Sequence, residues 1–111
     1  MSLIVIHNTP LSKEENYLIG AISSSFNPKK VKSEEIINGG GELSDYKNVV
    51  VVNNLAAIEN IRSRGVKIFI IAVVSSQCFF GEARKAGANC LFTVENRIGL
   101  LAFLKRHNYW V

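Results

Sequence analysis

Two stretches of this chain, Asn48-Val49-Val50-Val51-Val52 and Ile68-Phe69-Ile70-Ile71-Ala72-Val73-Val74, are apolar and largely β-branched with no alternation of polar residues. A strand with one wet face alternates; a strand that is apolar at every position must be covered on both faces. A parallel sheet sandwiched between two helical layers meets that demand. The run Leu3-Ile4-Val5-Ile6 has the same character and reads as a third strand of this kind.

The segments between these runs carry helix signals. Ser12 followed three positions on by Glu15 forms a capping box, and Leu18, Ile22 and Phe26 then share one helical face until Pro28 stops it. The stretch KKVKS (29–33) is too polar for a central strand, but a short Lys-rich strand is how sheets blunt an edge. Ser33-Glu34-Glu35 starts a single helical turn through Ile37, which ends in Gly39-Gly40-Gly41, read as a plain flexible connection. Asn54 caps a short helix carrying Leu55, Ile58 and Ile61, with Gly65 as its left-handed terminator. Ser75-Ser76 caps a helix bearing Phe79, Ala83 and Ala86 that ends at Gly87. NCLFTV (89–94) is the last strand, and Asn96 caps a final helix whose apolar face follows Ile98, Leu101 and Leu104 or Lys105.

Five strands alternating with helices over short links define an α/β chain. Right-handed crossovers leave few topologies, and the expectation is a three-layer flavodoxin-like (CheY-like) sandwich with a five-stranded parallel sheet in the order 2-1-3-4-5. At 111 residues and 48% hydrophobic, the chain has material for one core, so residues 1–111 read as a single domain. Such a domain stands alone or serves as the N-terminal domain of a longer regulator.

The net charge of +4 comes from 13 Lys and Arg against 9 Asp and Glu. The cations are scattered (Lys29, Lys30 and Lys32; Arg62, Arg64 and Lys67; Arg84 and Lys85; Arg97, Lys105 and Arg106) without interleaved aromatics. Direct nucleic-acid binding by this domain is therefore not expected. Cys78 and Cys90 have neither metal-ligand spacing nor the density of a disulfide framework, which suits a reducing, cytoplasmic setting. No leader-like segment opens the chain, and its longest apolar run is far short of the roughly 20 residues of a membrane helix. No membrane association is expected.

The order of landmarks resembles the receiver (CheY-like) superfamily of two-component signalling over essentially the whole chain. The strongest match is the second half: VKIFIIAVVSS, a helix, ARKAGANCLFTV, then the amphipathic NRIGLLAFLKRH. Receivers move a phosphoryl group from a histidine kinase onto an aspartate at the end of the third strand, with Mg²⁺ held by acids after the first. A Ser or Thr ends their fourth strand, and a Lys, usually before Pro, ends their fifth. Carried over by this resemblance, the acidic pair falls on His7-Asn8 (or Asn8-Thr9), the phosphoacceptor on Asn53, the hydroxyl on Ala72 or Val73, and the Lys-Pro on Val94-Glu95. The aromatic switch position falls on Leu91, beside Phe92. Each chemical residue of the family is replaced, and between Asn53 and the next strand the chain is about ten residues shorter than the family pattern.

An amide offers no anionic oxygen to a phosphoryl group, and a hard cation without carboxylates loses its ligands. His7, Asn8, Asn53, Ala72 and Val94 thus form a degenerate phosphorylation pocket with no catalytic residue, metal or cofactor. His7 has no histidine partner but His107, and Asn53-Asn54 reads most simply as a strand end and helix cap. Cys78 and Cys90 read as small buried hydrophobes. Adjacent Phe79 and Phe80 cannot share one helical face, so one packs inward and the other faces solvent or a partner.

The function expected is that of a pseudo-receiver, not an enzyme: a phosphorylation-independent regulatory domain that dimerises or docks a protein partner. By the resemblance, its interface is the face made by the fourth helix, fifth strand and fifth helix. Phe80, Arg84, Lys85, Arg97, Lys105 and Trp110 are the residues assigned to it. The alternative is a module for a nucleotide or polar metabolite, held where His7, Asn8, Asn53, Asn54, Ser75 and Ser76 would gather at the carboxyl ends of the strands.

Overall fold

The computed structural model describes residues 3–109. Its strands are β1 (Leu3–His7), β2 (Lys29–Lys32), β3 (Asn48–Val52), β4 (Phe69–Val74) and β5 (Cys90–Thr93). The helices are α1 (Lys13–Phe26), α2 (Ser33–Ile37), α3 (Leu55–Ser63), α4 (Phe80–Ala86) and α5 (Arg97–Tyr109), with a 3₁₀ turn at Gln77–Phe79. All pairings are parallel and the sheet order is β2-β1-β3-β4-β5. This is the topology expected from the sequence.

The unbroken valines of β3 are explained by where their side chains go. Val49 and Val51 enter one core with Ile4, Ile6, Ile70 and Ala72, beneath α2, α3 and α4; Val50 and Val52 enter the other with Leu3, Val5, Ile71 and Val73, beneath α1 and α5. All four valines are at most 1% exposed. Each contributes about 1.5–3 kcal/mol relative to an exposed side chain, so an alternating strand in this place would forfeit one of the two cores. β2 behaves as an edge: of Lys29-Lys30-Val31-Lys32, only Val31 is buried.

Ser12 and Glu15 cap α1 reciprocally, and Asn27 ends it in the left-handed conformation. Asn54 caps α3 by accepting the Ala57 N–H at 2.9 Å. Ser76 caps the 3₁₀ turn by accepting the Cys78 N–H, and the α-helix itself starts later, at Phe80. That offset alters the inward face: Phe80 packs on the core with Ala83 and Ala86, while Phe79 is 38% exposed.

Three expectations are corrected. In α5 the buried stripe is Leu100 and Leu104, with Leu101 and Phe103 half-buried, and Ile98 is 85% exposed. Cys78 is exposed rather than buried, because it lies in the 3₁₀ turn outside the packed helix. The glycine connection is pinned. The Arg64 guanidinium, from the C-terminal end of α3, donates to the carbonyls of Ile36 (2.7 Å), Gly40 (2.7 Å) and Gly41 (3.0 Å). Arg62 does the same at the amino ends of β4 and β5, donating to the carbonyls of Ile68 and Gly87, each at 2.9 Å. Gly87 has φ +124°, and a Cβ there would collide with the Arg62 side chain.

Candidate functional site

The carboxyl ends of β1 and β3 lie side by side at the point where the chain's order in the sheet reverses. The crevice there is where open α/β sheets bind ligands. Asn8, just past β1, is the centre of a side-chain network. Its Oδ1 accepts from the Ser33 hydroxyl at 2.8 Å and from Asn54 Nδ2 at 2.9 Å, and its Nδ2 donates to the Asn53 carbonyl at 2.9 Å. Asn53 follows β3 with φ +52°, a left-handed conformation that asparagine tolerates better than most residues. This turn lets its N–H reach the Val73 carbonyl at 2.7 Å, while its Nδ2 donates to Glu15 Oε2 at 2.6 Å.

Glu15 is the residue that the sequence did not bring to the site. Its capping-box role was legible, but not its position 38 residues away against Asn53. Glu15 is 7% exposed, and its Oε1 accepts the Ser12 N–H at 2.8 Å. Burial pushes its pKa up. Hydrogen bonds from Ser12 and Asn53, with the nearby His7, outweigh that and hold it below the ordinary glutamate value. Ser33 was likewise read only as the start of a helical turn, yet it is 4% exposed and bonded to Asn8. Both acquire their partners through tertiary structure, for which the sequence holds no local signal.

Of the pocket residues named from the sequence, His7, Asn8 and Asn53 do meet here; the His7 ring nitrogen Nδ1 lies 2.9 Å from the Asn8 carbonyl oxygen. Ala72 does not reach the site. It pairs in register with Val51, two residues short of Asn53, and is fully buried in the core under α2, α3 and α4. The hydroxyl at the end of β4 belongs to Ser75, which lines a pocket with Asn53 and Asn54. Val94 is also absent from the site, because it is 6% exposed and packs into the core under α1 and α5. Ser76 lines an adjoining shallow groove with Ser75, Gln77, Thr93 and Glu95 and does not face Asn53 or Asn54 there. Among the described residues no group of three His, Cys, Asp or Glu is placed to hold a metal ion.

The residues assigned to the interface are dispersed. Arg84 and Lys85 are exposed in the last turn of α4, and Lys105 is exposed on α5. Phe80 is half-buried against the core. Arg97 lies over the Tyr17 ring of α1, 5.2 Å from its centroid, which takes it to the α1 side of α5. Trp110 falls outside the described residues. Cys90, on the open edge strand, is half-buried, and burial pushes its thiol pKa up. No described helix is long and apolar enough to cross a membrane.

A parallel 2-1-3-4-5 sheet between helical layers, with its polar site at the β1 and β3 ends, is the fold of CheY-like receiver domains. Solved structures similar to this chain carry that fold. A response regulator receiver protein from Pseudoalteromonas atlantica superposes with a TM-score of 0.69 at 13% identity, covering 94% of each chain. The BeF3-activated DrrB receiver domain gives 0.69 at 16% identity over 96% of each chain. A LuxR-family DNA-binding response regulator from Staphylococcus aureus gives 0.67 at 11% identity, covering 96% of this chain and 98% of that one. Identities this low establish likeness of fold alone. No protein-family model matches the chain, and no curated protein matches it significantly.

Proposed function

We propose that this chain is a pseudo-receiver: a non-enzymatic, phosphorylation-independent regulatory domain that acts by pairing with itself or docking a protein partner in the cytoplasm. The observation that carries this reading is the hydrogen bond from the Asn53 amide to the Glu15 carboxylate. A receiver places an anionic carboxylate oxygen at the end of its third strand and surrounds it with acids for Mg²⁺. Here that strand end carries an amide donor. The adjoining carboxylate is already engaged by Ser12 and Asn53, and Asn8 binds its neighbours where metal ligands would stand. The network holds the strand ends together, and its one carboxylate is already engaged by Ser12 and Asn53.

The reading puts the partner on the face formed by α4, β5 and α5, where Arg84, Lys85 and Lys105 are exposed. Sedimentation equilibrium of the chain, with and without Mg²⁺ and acetyl phosphate, is the test. An association state indifferent to both, and lowered by the double substitution Arg84→Glu and Lys85→Glu, is the expected result. A covalent phosphoryl adduct in the intact mass, or an association that changes with the donor, overturns the reading. Substituting Asn53→Asp alone is expected to leave acetyl phosphate without effect, since the new carboxylate would be repelled by Glu15, whose other oxygen is held by the Ser12 N–H, and no acid follows β1 to complete a metal site.

A further inference from the structure

Beside the asparagine network, the ends of β3 and β4, the start of α3 and the 3₁₀ turn border a half-open pocket of about 290 Å³, lined by Asn53, Asn54, Leu55, Val74, Ser75 and Phe79. We propose that this pocket binds a small, neutral, planar heterocycle bearing an N–H donor. Its volume sits just below the range of about 300–1,000 Å³ typical of small-molecule sites, so the occupant is small. Leu55, Val74 and Phe79 supply apolar wall, and Phe79 is an aromatic ring left 38% exposed at the rim, placed to stack on a flat ligand.

The polar groups define the ligand further. Asn53 Nδ2 is engaged by Glu15, Asn54 Nδ2 by Asn8, and Asn54 Oδ1 by the Ala57 N–H. Asn53 Oδ1 and the Ser75 hydroxyl are left for a ligand, an acceptor beside a group that can donate or accept. No cationic side chain lines the pocket, so no full positive charge is placed there to neutralise a phosphate or carboxylate. This inference goes beyond the pseudo-receiver reading and stands without it.

The test is a ¹⁵N-edited NMR titration of the full chain with benzimidazole at neutral pH, with benzoate, inorganic phosphate and 1-methylbenzimidazole as comparison probes. Benzimidazole is expected to give saturable shifts centred on residues 53–55, 74, 75 and 79. Loss of the N–H in the methylated probe, or Phe79→Ala in the exposed 3₁₀ turn, is expected to weaken binding at least five-fold. An absence of saturable shifts with benzimidazole overturns the proposal. So does binding of benzoate or phosphate at these residues as tight as that of benzimidazole, or equal affinity for the methylated probe.

Discussion

Glu15 is the side chain on which most of the site's electrostatics converge. Because the folded carboxyl holds its proton less tightly than an unfolded glutamate with its ordinary value of 4.5, its contribution to stability is complete above that pH and is lost as the pH falls through the lower folded value. The thermal midpoint is therefore expected to decline on acidification below about pH 4.5, measured by circular dichroism. In Glu15→Gln that part of the decline should flatten, at a cost near neutrality of about 1–2 kcal/mol for the lost charge-assisted bonds. Asn8→Ala removes one acceptor and one donor that serve three partners and leaves the 4% exposed Ser33 hydroxyl unpaired. About 1–3 kcal/mol of destabilisation is expected in urea titration.

Elements whose pattern is set by burial on both faces were the most legible. β1, β3 and β4 could be read from their unbroken apolar runs, and the caps at Ser12 and Asn54 from residue type and spacing. The face of α5 could not. Ile98, Leu101 and Lys105 form one stripe at helical spacing and Leu100 with Leu104 another; docking against α1 and the sheet, which buries the second, is a tertiary choice. The same holds for Ala72, where a shortened connection after Asn53 moved the expected strand end by two or three residues from Ser75. At the site, Asn8 and Asn53 were visible as replaced acids, whereas Ser33 and Glu15 become partners only when the chain closes. Arg64 makes a contribution at this scale by tying α3 to the β2–β3 connection through three carbonyls. Arg64→Ala should accelerate hydrogen exchange at Gly39, Gly40 and their neighbours by an order of magnitude or more, while the amides of β3 remain protected.

On the scale of the molecule, the two cores share one sheet, so damage to either is felt by both. Ile71→Ala in β4 beneath α1 and α5, and Ile58→Ala on the inner face of α3, each remove a side chain at most 1% exposed. Each should cost about 2–5 kcal/mol, a large share of the roughly 5–15 kcal/mol typical of a whole domain. A single unfolding transition with an unchanged denaturant slope is expected for both variants, since neither layer has a sheet of its own to fold on. The sheet's two borders are also unlike. One is β2, four residues long with three exposed lysines; the other is β5, whose outer side pairs with no strand among the described residues. A ribbon that repels additions at one end and accepts them only at the other can be joined once, border to border, and then has no compatible border left. Assembly through the sheet would thus count to two and stop, a built-in limit on fibre growth that requires no covering segment.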